Sequence, residues 1–409
     1  GDAAAAEMTQ TQSTLKADPR ASLDPQVLEG MYVMDAHMAA NKIVLTRELL
    51  TSPGNGRQYS SSVNNNYSYT SFRQSLHTMI ATGAANQTFY IGHSSVENGR
   101  AYGLVNIAAF LAMSVEDSIM QGSCDEVNSD LVGGKLPISN ACGQYGRTYH
   151  EMTCPAGEEQ YVCEVDPTMR MVANDIDGQA TGQSGSGSSG GQEVPPPKPF
   201  YCGPMTDYDG YTGHWDYVSS TEFVHPPAEN AMGKTNVEGC CWWGRGSIQI
   251  RGICAYGKLN YFLGKRAADE GRPSMYPDVD FCRDPQAVCS HDKYPDIKWI
   301  AGMFRWITEI QTYNAEGSAA EEEGGEAVAG FNYMQRLVDF VDGGLQDWSF
   351  VHGVSGIVTQ GCHDPPCIEG AEFDGASRMK TFRKTLKLLG LAVKDSTATG
   401  RRLGESNNR

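Results

Sequence analysis

Twelve cysteines constrain the fold of this 409-residue chain more than any other feature of its sequence. They are even in number and all lie between Cys124 and Cys367, so the first third of the chain and its tail contain none. This distribution predicts a loop-rich region stapled by several disulfides, and disulfides persist in an oxidising compartment. The sequons that begin at Asn66 and Asn86 agree with secretion. We therefore expect a secreted protein of the extracellular space, in a cell wall or a matrix.

Zinc binding is the alternative explanation of the cysteines. It would rely on Cys362, His363 and Cys367 together with the adjacent pair Cys240 and Cys241. The sequence does not contain two CxxC knuckles at the spacing of a zinc finger, so it favours disulfides. We expect neither a metal site nor a cofactor.

The charge of the chain argues against two classes of partner. A formal net charge of −17 would repel both the phosphates of nucleic acid and anionic lipid surfaces. The sequence also has no apolar run of about 18 residues, the length that spans a bilayer. Its first residues do not resemble a signal peptide, so we expect a mature or trimmed chain. A neutral or cationic substrate fits this composition better.

Hydrophobic periodicity predicts a mainly α-helical fold. Apolar residues recur at helical spacing near 23–50, 72–80, 102–119, 297–311, 331–341 and 377–389, whereas few segments alternate with the period of a strand. Composition suggests a disordered arm at 1–22, a helical N-terminal segment and loop at 23–66, one domain at 67–392 and a flexible tail at 393–409. Low-complexity stretches at 176–199 and 315–330 are expected to be insertions into that domain.

The segment CCWWGRGSIQI at 240–250 carries the most specific chemistry. Glycines on both sides of Arg245 permit a sharp turn or a close approach to a ligand. Trp243, Gln249 and Tyr256 are of the residue types that stack on sugar rings and bond hydroxyl groups. Residue chemistry alone leaves a buried structural segment as an equally good explanation.

Three segments together resemble the family 19 glycoside hydrolases, the lysozyme-like chitinases. The segment GRGSIQI at 244–250 is similar to the signature of that family, and AAFLAMSVEDS at 108–118 resembles its catalytic helix. The segment VSGIVTQGC at 354–362, followed by Arg378, resembles its late cleft loop and closing arginine. The resemblance covers roughly residues 70–390 and is closest to the long, cysteine-rich members of diatoms and oomycetes.

This resemblance implies a fold, an activity and a substrate. The fold would be a bilobed, lysozyme-like helical fold with a central substrate cleft, loop-rich and stapled by disulfides. The activity would be the inverting hydrolysis of the β-1,4 linkages between the N-acetylglucosamine units of chitin. Besides the catalytic carboxylates, the resemblance nominates the following residues for substrate binding: Trp243, Arg245, Gln249, Arg251, Tyr256, Thr359 and Arg378.

Inverting hydrolysis requires two carboxyl groups, an acid and a base, about 6.5–9.5 Å apart. Asp117 aligns with the catalytic glutamate of the family and Glu116 with the histidine before it. Neighbours on a helix point about 100° apart, so these two are alternatives for the acid and not the pair. For the base, the family places a carboxylate after a cysteine, which nominates Glu151 in the loop that follows Cys142. Four other glutamates lie nearby in the sequence: Glu126, Glu158, Glu159 and Glu164.

Three departures from the family pattern bear on activity. Arg251 replaces a hydroxyl residue that helps to seat the nucleophilic water, Ala255 replaces a cleft asparagine, and Thr359 replaces the asparagine of the late loop. Each sugar group left without its partner costs about 1–3 kcal/mol. The alternative function is therefore a chitin-binding wall or matrix protein with weak or no hydrolysis. A muramidase-like enzyme is a third possibility, which the GRG segment favours less.

Overall fold

The computed structural model describes residues 67, 69–92, 96–119, 124–126, 152–164, 169–173, 199–204, 214–215, 223–224, 242–316, 330–367, 373 and 375–391. Of these residues 55% are helical and 5% lie in strands, so the prediction of a mainly α-helical protein is confirmed. The predicted arm at 1–22, the segment at 23–66 and the tail at 393–409 lie outside the described residues. So does nearly all of the two predicted insertions.

The chain divides into two compact units. Among the described residues, the first unit contains those up to Tyr90 and those from Met113 to Gln311. The second contains those from Ile91 to Ala112 and those from Thr312 onwards. The bilobed shape and central cleft that the resemblance implies stay predictions.

The helices of the first unit are α1 (Tyr69–Ala81), α3 (Gly252–Leu263), α4 (Lys265–Asp269), α5 (Ala287–Ser290) and α6 (Ile297–Arg305). Helix α6 continues as a π-helical turn at Trp306–Ile310, and a 3₁₀ turn forms at Glu159–Tyr161. Helix α2 (Gly99–Ser114) begins in the second unit and ends in the first, where it continues as a π-helical turn at Val115–Ile119.

Helix α1 packs against α6 to form the core of the first unit. The rings of Tyr67 and Phe72 each lie 5.1 Å from the ring of Trp299 in edge-on geometry. Phe72, Leu76 and Met79 are fully buried, as expected from their i, i+4, i+7 spacing. The hydrophobic periodicity therefore identified both the helix and its buried face.

The second unit contains two short strands and three more helices. Strands β5 (Asn314–Ala315) and β6 (Phe331–Asn332) pair in antiparallel fashion and lead into α7 (Tyr333–Asp342), α8 (Ser349–Gln360) and α9 (Gly375–Leu388). Phe340, Phe350 and Phe382, one from each helix, form an aromatic core with ring centroids 5.3–6.1 Å apart. Burial of these rings ties the three helices together.

Four further strands form two hairpin-like pairs. Strand β1 (Met169–Ala173) pairs with β2 (Pro199–Pro204), and β3 (His214–Trp215) pairs with β4 (Phe223–Val224), both antiparallel. The first pair brackets most of the low-complexity stretch predicted at 176–199. Strands β3 and β4 have only two residues each, and β1 (MRMVA) and β2 (PFYCGP) do not alternate strictly between apolar and polar residues, so periodicity did not reveal them.

Four disulfides lie among the described residues, in agreement with the prediction of a stapled fold. Three belong to the first unit and join segments that are 165, 100 and 119 residues apart in sequence: Cys124–Cys289, Cys154–Cys254 and Cys163–Cys282. The fourth is Cys362–Cys367 in the second unit. These two cysteines belong to the set named for the zinc alternative, and within this disulfide they are not free to bind a metal. Cys240 and Cys241 lie outside the described residues. Within the described part of the chain, no helix has the length and apolar character needed to cross a bilayer.

Two local expectations differ from the structure. The helix expected at 331–341 begins only at Tyr333, because Asn332 caps it by accepting a hydrogen bond from the amide of Gln335 at 3.0 Å. The loop expected at 354–362 is wrong, since α8 extends to Gln360 and ends at Gly361, whose φ is +81°.

Candidate functional site

The GRG segment folds into a tight turn within the first unit. The amide and carbonyl groups of Arg245 exchange hydrogen bonds with those of Ile250 at 3.0 and 2.9 Å, which closes a loop of four residues between them. Gly246 has a φ of +85°, and a Cβ at this position would lie 3.0 Å from the carbonyl oxygen of Lys298. Both constraints require glycine here. The second glycine of the motif therefore serves the turn.

Arg245 lies in the core below this turn, with no exposed surface. Its guanidinium group stacks on the Trp243 ring, 3.7 Å from the centroid, and pairs with the Asp125 carboxylate at 3.2 Å. It also donates hydrogen bonds to the Tyr256 hydroxyl at 2.9 Å and to the Gln286 side chain at 3.2 Å. Buried charges persist when they are paired and hydrogen-bonded in this way. The position of Arg245 is that of a residue that shapes the turn from beneath.

Trp243 and Tyr256 share the buried environment of Arg245. Each side chain is fully buried, and the Tyr256 hydroxyl donates a hydrogen bond to the Trp243 carbonyl at 3.0 Å. Burial raises the pKa of Tyr256 to about 12, although the neighbouring guanidinium opposes the shift. A residue of a substrate cleft can line the cleft or support the lining residues from behind. Full burial favours the supporting role for Trp243, Arg245 and Tyr256. Their direct contact with a substrate stays a prediction.

A short segment at 124–126 lies alongside the turn. The amide of Glu126 donates to the Gly244 carbonyl at 2.7 Å, and the amide of Gly246 donates to the Cys124 carbonyl at 2.9 Å. The disulfide to Cys289 anchors this segment, and the Trp243 indole donates to the Asp125 carboxylate at 3.0 Å. Asp125 thus has a structural task, whereas the half-buried Glu126 carboxylate lies at the edge of the turn.

The Glu126 carboxylate and the Gln249 amide oxygen converge above Gly244. A Cβ at Gly244 would lie 2.7 Å from Gln249 Oε1 and 3.1 Å from Glu126 Oε2, so the two oxygens can hold these positions only because residue 244 is glycine. Glu126 Oε2 also accepts a hydrogen bond from the Gly244 amide at 3.0 Å. The first glycine of the motif therefore lets two acceptor oxygens approach each other.

Hydrogen bonding fixes the orientation of Gln249. Its Nε2 donates to the carbonyls of Cys124 at 3.0 Å and Gly246 at 2.9 Å, and a flipped amide would oppose its oxygen to both carbonyls. Among the described residues, Oε1 is buried and has no hydrogen-bond partner. Gln249 also has a φ of +54°, an unusual value for a residue that is not glycine. A buried acceptor without a partner costs free energy, and such groups are typical of ligand and water sites.

The predicted catalytic helix ends beside this turn. Its π-helical continuation presents Glu116 and Asp117 as half-buried side chains, while Ser118 is buried. The Ser118 hydroxyl donates hydrogen bonds to the carbonyls of Ser114 at 3.1 Å and Ser247 at 2.9 Å. Because Ser118 follows Asp117 directly, this bond joins the acidic helix end to the loop that carries Gln249. π-Helical turns are rare and often occur at functional sites.

Three further residues were predicted to bind substrate: Arg251, Thr359 and Arg378. Arg251 is half-buried and extended at the start of α3, directly after the turn. Thr359, in the last turn of α8, donates to the Ser355 carbonyl at 2.8 Å, and Arg378 lies in α9. Both belong to the second unit and not to the first unit's cluster. Glu151 lies outside the described residues.

The sequence analysis did not single out Asp125, and it gave Glu126 only as one of four other glutamates near the nominated base. The sequence did contain a signal for Asp125 and Glu126. They are the two residues after Cys124, and the resemblance places a carboxylate just after a cysteine. The sequence analysis nominated Glu151, in the loop that follows the later cysteine Cys142. The disulfide of Cys124 and the backbone bonds to the turn place this cysteine beside the GRG segment, whereas Cys142 lies outside the described residues.

Within the described residues, no group of three or more histidine, cysteine, aspartate or glutamate side chains is arranged to hold a metal ion. Comparison with known proteins provides no further guidance, because no family model matches the chain and neither a curated protein nor a solved structure is significantly similar to it.

Proposed function

We propose that the protein is a secreted chitinase that hydrolyses β-1,4-N-acetylglucosamine linkages with inversion. One observation carries this proposal: Ser118 bonds the acidic helix end to the turn that carries Gln249, and Glu126 and Gln249 Oε1 both lie against Gly244. That oxygen has no hydrogen-bond partner among the described residues. A proton donor, a carboxylate base and an acceptor for water are the groups that this reaction needs. The resemblance of the three sequence segments supplies the substrate class.

In this mechanism Asp117 or Glu116 protonates the glycosidic oxygen as its bond to the anomeric carbon breaks. Glu126 takes one proton from a water molecule, whose oxygen forms the new bond from the opposite face of the sugar. The Gln249 oxygen accepts the second hydrogen of that water and so orients it. A hydroxyl group seats the water in the family, and Arg251 has replaced it here. The unpaired amide oxygen supplies an acceptor for the same task.

We assign the base to Glu126 in preference to Glu151. Its carboxylate oxygen and the Gln249 oxygen occupy the same space over Gly244, and the Gly244 amide orients the carboxylate. A base that activates water must lie within hydrogen-bond reach of that water. In the proposed mechanism we place that water beside Gly244.

Buried buttresses support the proposed site from below. Arg245 and its partners hold the turn rigid, and a catalytic group held by packing and hydrogen bonds loses less entropy in the transition state. The three long-range disulfides of the first unit add to this rigidity and are consistent with function outside the cell.

The competing function is chitin binding without turnover in a wall or matrix. The replacements at Arg251, Ala255 and Thr359 favour it, because each removes a polar group that the family uses in its cleft. The two functions share a binding step and differ only in the chemistry that follows.

Acid variants separate the two functions. Asp117→Asn and Glu116→Gln, made singly, preserve the size and polarity of the side chain while removing the acidic proton. We expect both variants to bind N-acetylglucosamine oligosaccharides like the wild type, and one of them to lose hydrolysis by about 10²–10⁴-fold. If the wild type and both variants bind the oligosaccharides but none forms product at any pH from acid to neutral, only the matrix function remains. If the wild type does not bind these oligosaccharides, both proposed functions are wrong.

A further inference from the structure

One of the sequons lies in an ordered part of the first unit. The chain contains two sequons, which begin at Asn66 and Asn86, and Asn66 lies outside the described residues. The sequon Asn86-Gln87-Thr88 follows α1 and is followed directly by Phe89. Phe89 is buried, and its amide donates a hydrogen bond to the Met79 carbonyl in α1 at 3.0 Å. The fold therefore fixes the position of this sequon.

Asn86 lies at the tip of a tight turn. The amide and carbonyl groups of Ala84 and Gln87 exchange hydrogen bonds at 2.9 and 2.8 Å, which leaves two residues at the tip. These two, Ala85 and Asn86, have φ values of +51° and +59°. Positive φ at both tip positions is the pattern of a type I′ turn, and asparagine tolerates this conformation better than most residues. Asn86 therefore suits its place in the turn.

All three residues of the sequon are exposed, whereas Gly83 before the turn and Phe89 after it are buried. An N-linked glycan is bulky and hydrophilic, so it requires an asparagine at the surface. The hydroxyl residue of the sequon lies two positions after that asparagine, and Thr88 supplies it. The folded chain therefore has room for a glycan at Asn86.

Contacts with late parts of the chain hold the sequon in its folded position. The Gln311 side chain accepts a hydrogen bond from the Tyr90 amide at 3.0 Å and donates one to the Thr88 carbonyl at 3.0 Å. Helix α1 likewise packs on Trp299 through Phe72. These contacts can form only after α6 and its continuation have been synthesised.

The sequon therefore stays unfolded for a long interval during synthesis. At about 5–20 residues per second, the 223 residues from Thr88 to Gln311 take about 10–45 s to make. The turn does not persist by itself, because isolated hairpins are marginal and a positive φ is unfavourable for Ala85. An extended, accessible sequon is the form that a glycosyl transferase can bind during translocation.

We propose that Asn86 carries an N-linked oligosaccharide. The donor class is an oligosaccharide linked to a lipid through a diphosphate. Nδ2 of Asn86 forms a bond to the anomeric carbon of the first sugar and loses a proton. The bond from that carbon to the diphosphate oxygen breaks, and the lipid diphosphate leaves with the electron pair. This inference rests on the secretion that is included in the proposed function.

The GRG turn and the sequon contact different parts of α6 and its continuation. The Ser247 amide donates to the Lys298 carbonyl at 3.0 Å, and the Ser247 side chain lies against Gly302. Gln311, which holds Thr88, follows Gly302 by nine residues, about 13 Å at the rise of an α-helix. We therefore expect the glycan to leave hydrolysis at the proposed site unchanged.

Expression of the full chain behind a cleavable signal peptide in a eukaryotic host tests the proposal. Only translocated chains are analysed, namely those in the medium and those that membranes protect from added protease. Trypsin cuts after Arg73 and Arg100, and the peptide 74–100 contains a single sequon. An amidase that removes N-glycans in heavy-oxygen water converts the modified asparagine to labelled aspartate, which fragmentation in the mass spectrometer locates. We expect the label at Asn86 in most wild-type chains.

Two substitutions at Thr88 separate the sequon from the fold. Thr88→Val keeps the branched shape of this exposed side chain but removes the hydroxyl group, so the label at Asn86 should disappear. Thr88→Ser keeps the hydroxyl group and should retain the label. An unlabelled Asn86 in the wild type, or equal labelling in Thr88→Val, would overturn the proposal.

Asn98 is an internal control in the same peptide. It is exposed and has a φ of +60°, but Arg100 stands where a sequon has its hydroxyl residue. Label at Asn98 equal to that at Asn86 would show chemical deamidation and overturn the proposal.

Hydrolysis of chitin oligosaccharides tests the proposed function separately. Thr88→Val should hydrolyse them at the rate of the glycosylated wild type. An inactive wild type that is labelled at Asn86 would contradict the enzymatic function alone, and an active wild type without the label would contradict the glycan alone.

Discussion

Replacement of Arg245 by methionine tests whether the GRG segment is buttressed from the core. Methionine keeps the apolar stem of the side chain and removes the guanidinium group, which has no exposed surface. The change deletes the ion pair to Asp125, the bonds to Tyr256 and Gln286, and the stacking on Trp243. These are the contacts that hold the turn in place.

The expected loss in the free energy of unfolding depends on the environment in which the Asp125 carboxylate is left. Removing one partner of a buried ion pair costs about 3–5 kcal/mol, largely because the other charge is left buried. The Asp125 side chain is 22% exposed and can recover part of its hydration, so we expect a loss near the lower limit, about 3 kcal/mol. The Trp243 indole still donates a hydrogen bond to the Asp125 carboxylate after the change, which also reduces the loss in the free energy of unfolding.

Urea denaturation under non-reducing conditions measures this loss. The first unit contains four fully buried tryptophans whose fluorescence reports its unfolding: Trp242, Trp243, Trp299 and Trp306. For a slope of 1–3 kcal/mol per molar urea, the midpoint should fall by about 1 M or more. Arg266→Met, at an exposed ion pair of the same unit, serves as the control and should leave the midpoint unchanged. Equal midpoints for the two variants would refute the buttressing role of Arg245.

Three further predictions concern the same unit. Burial raises the pKa of Tyr256 from 10 to about 12, so between these pH values the folded state keeps a proton that the unfolded state loses. The free energy of unfolding should therefore fall as pH rises from 10 to 12. It should fall less steeply in the variant Tyr256→Phe, which has no hydroxyl group to titrate. Replacing Cys154 and Cys254 by alanine opens a link between segments 100 residues apart and should lower stability by about 2–5 kcal/mol in the same urea assay, whereas an unchanged midpoint would mean that the link does not restrain the unfolded chain. Gly244→Ala should reduce hydrolysis of chitin oligosaccharides at least about tenfold, because its methyl group displaces the two oxygens of the water site; unchanged rates would argue against that site.

Much of the fold could be predicted from the sequence, because the helices bury apolar residues that recur at helical spacing. Helix α1 and its buried residues follow from apolar spacing, and α9 ends before Gly390, which has a φ of +73°. Helix α8 was not predicted because the resemblance assigned 354–362 to a loop, and the helix contains glycines at 353 and 356. Both are required by close packing, since a Cβ would meet the Phe331 ring at Gly353 and the Cys362 carbonyl at Gly356.

The candidate site was accessible only in part. The sequence identified the GRG segment and the acidic helix end, but not that Trp243 and Arg245 are buried, because tryptophan and arginine occur both in cores and in clefts. Glu126 could be given only as one of several alternatives for the base, because its proximity to Gly244 depends on backbone pairing between segments 118 residues apart. Contacts at such separation follow from the fold and not from local patterns.

The central claim, inverting hydrolysis with Glu126 as base, is tested most directly by the anomer of the first product. Proton NMR of N-acetylglucosamine hexasaccharide during early turnover should show the α-anomer for the wild type. Glu126→Gln should bind the hexasaccharide but release product at least about 10²-fold more slowly. Initial formation of the β-anomer, or a Glu126→Gln variant as fast as the wild type, would contradict the account.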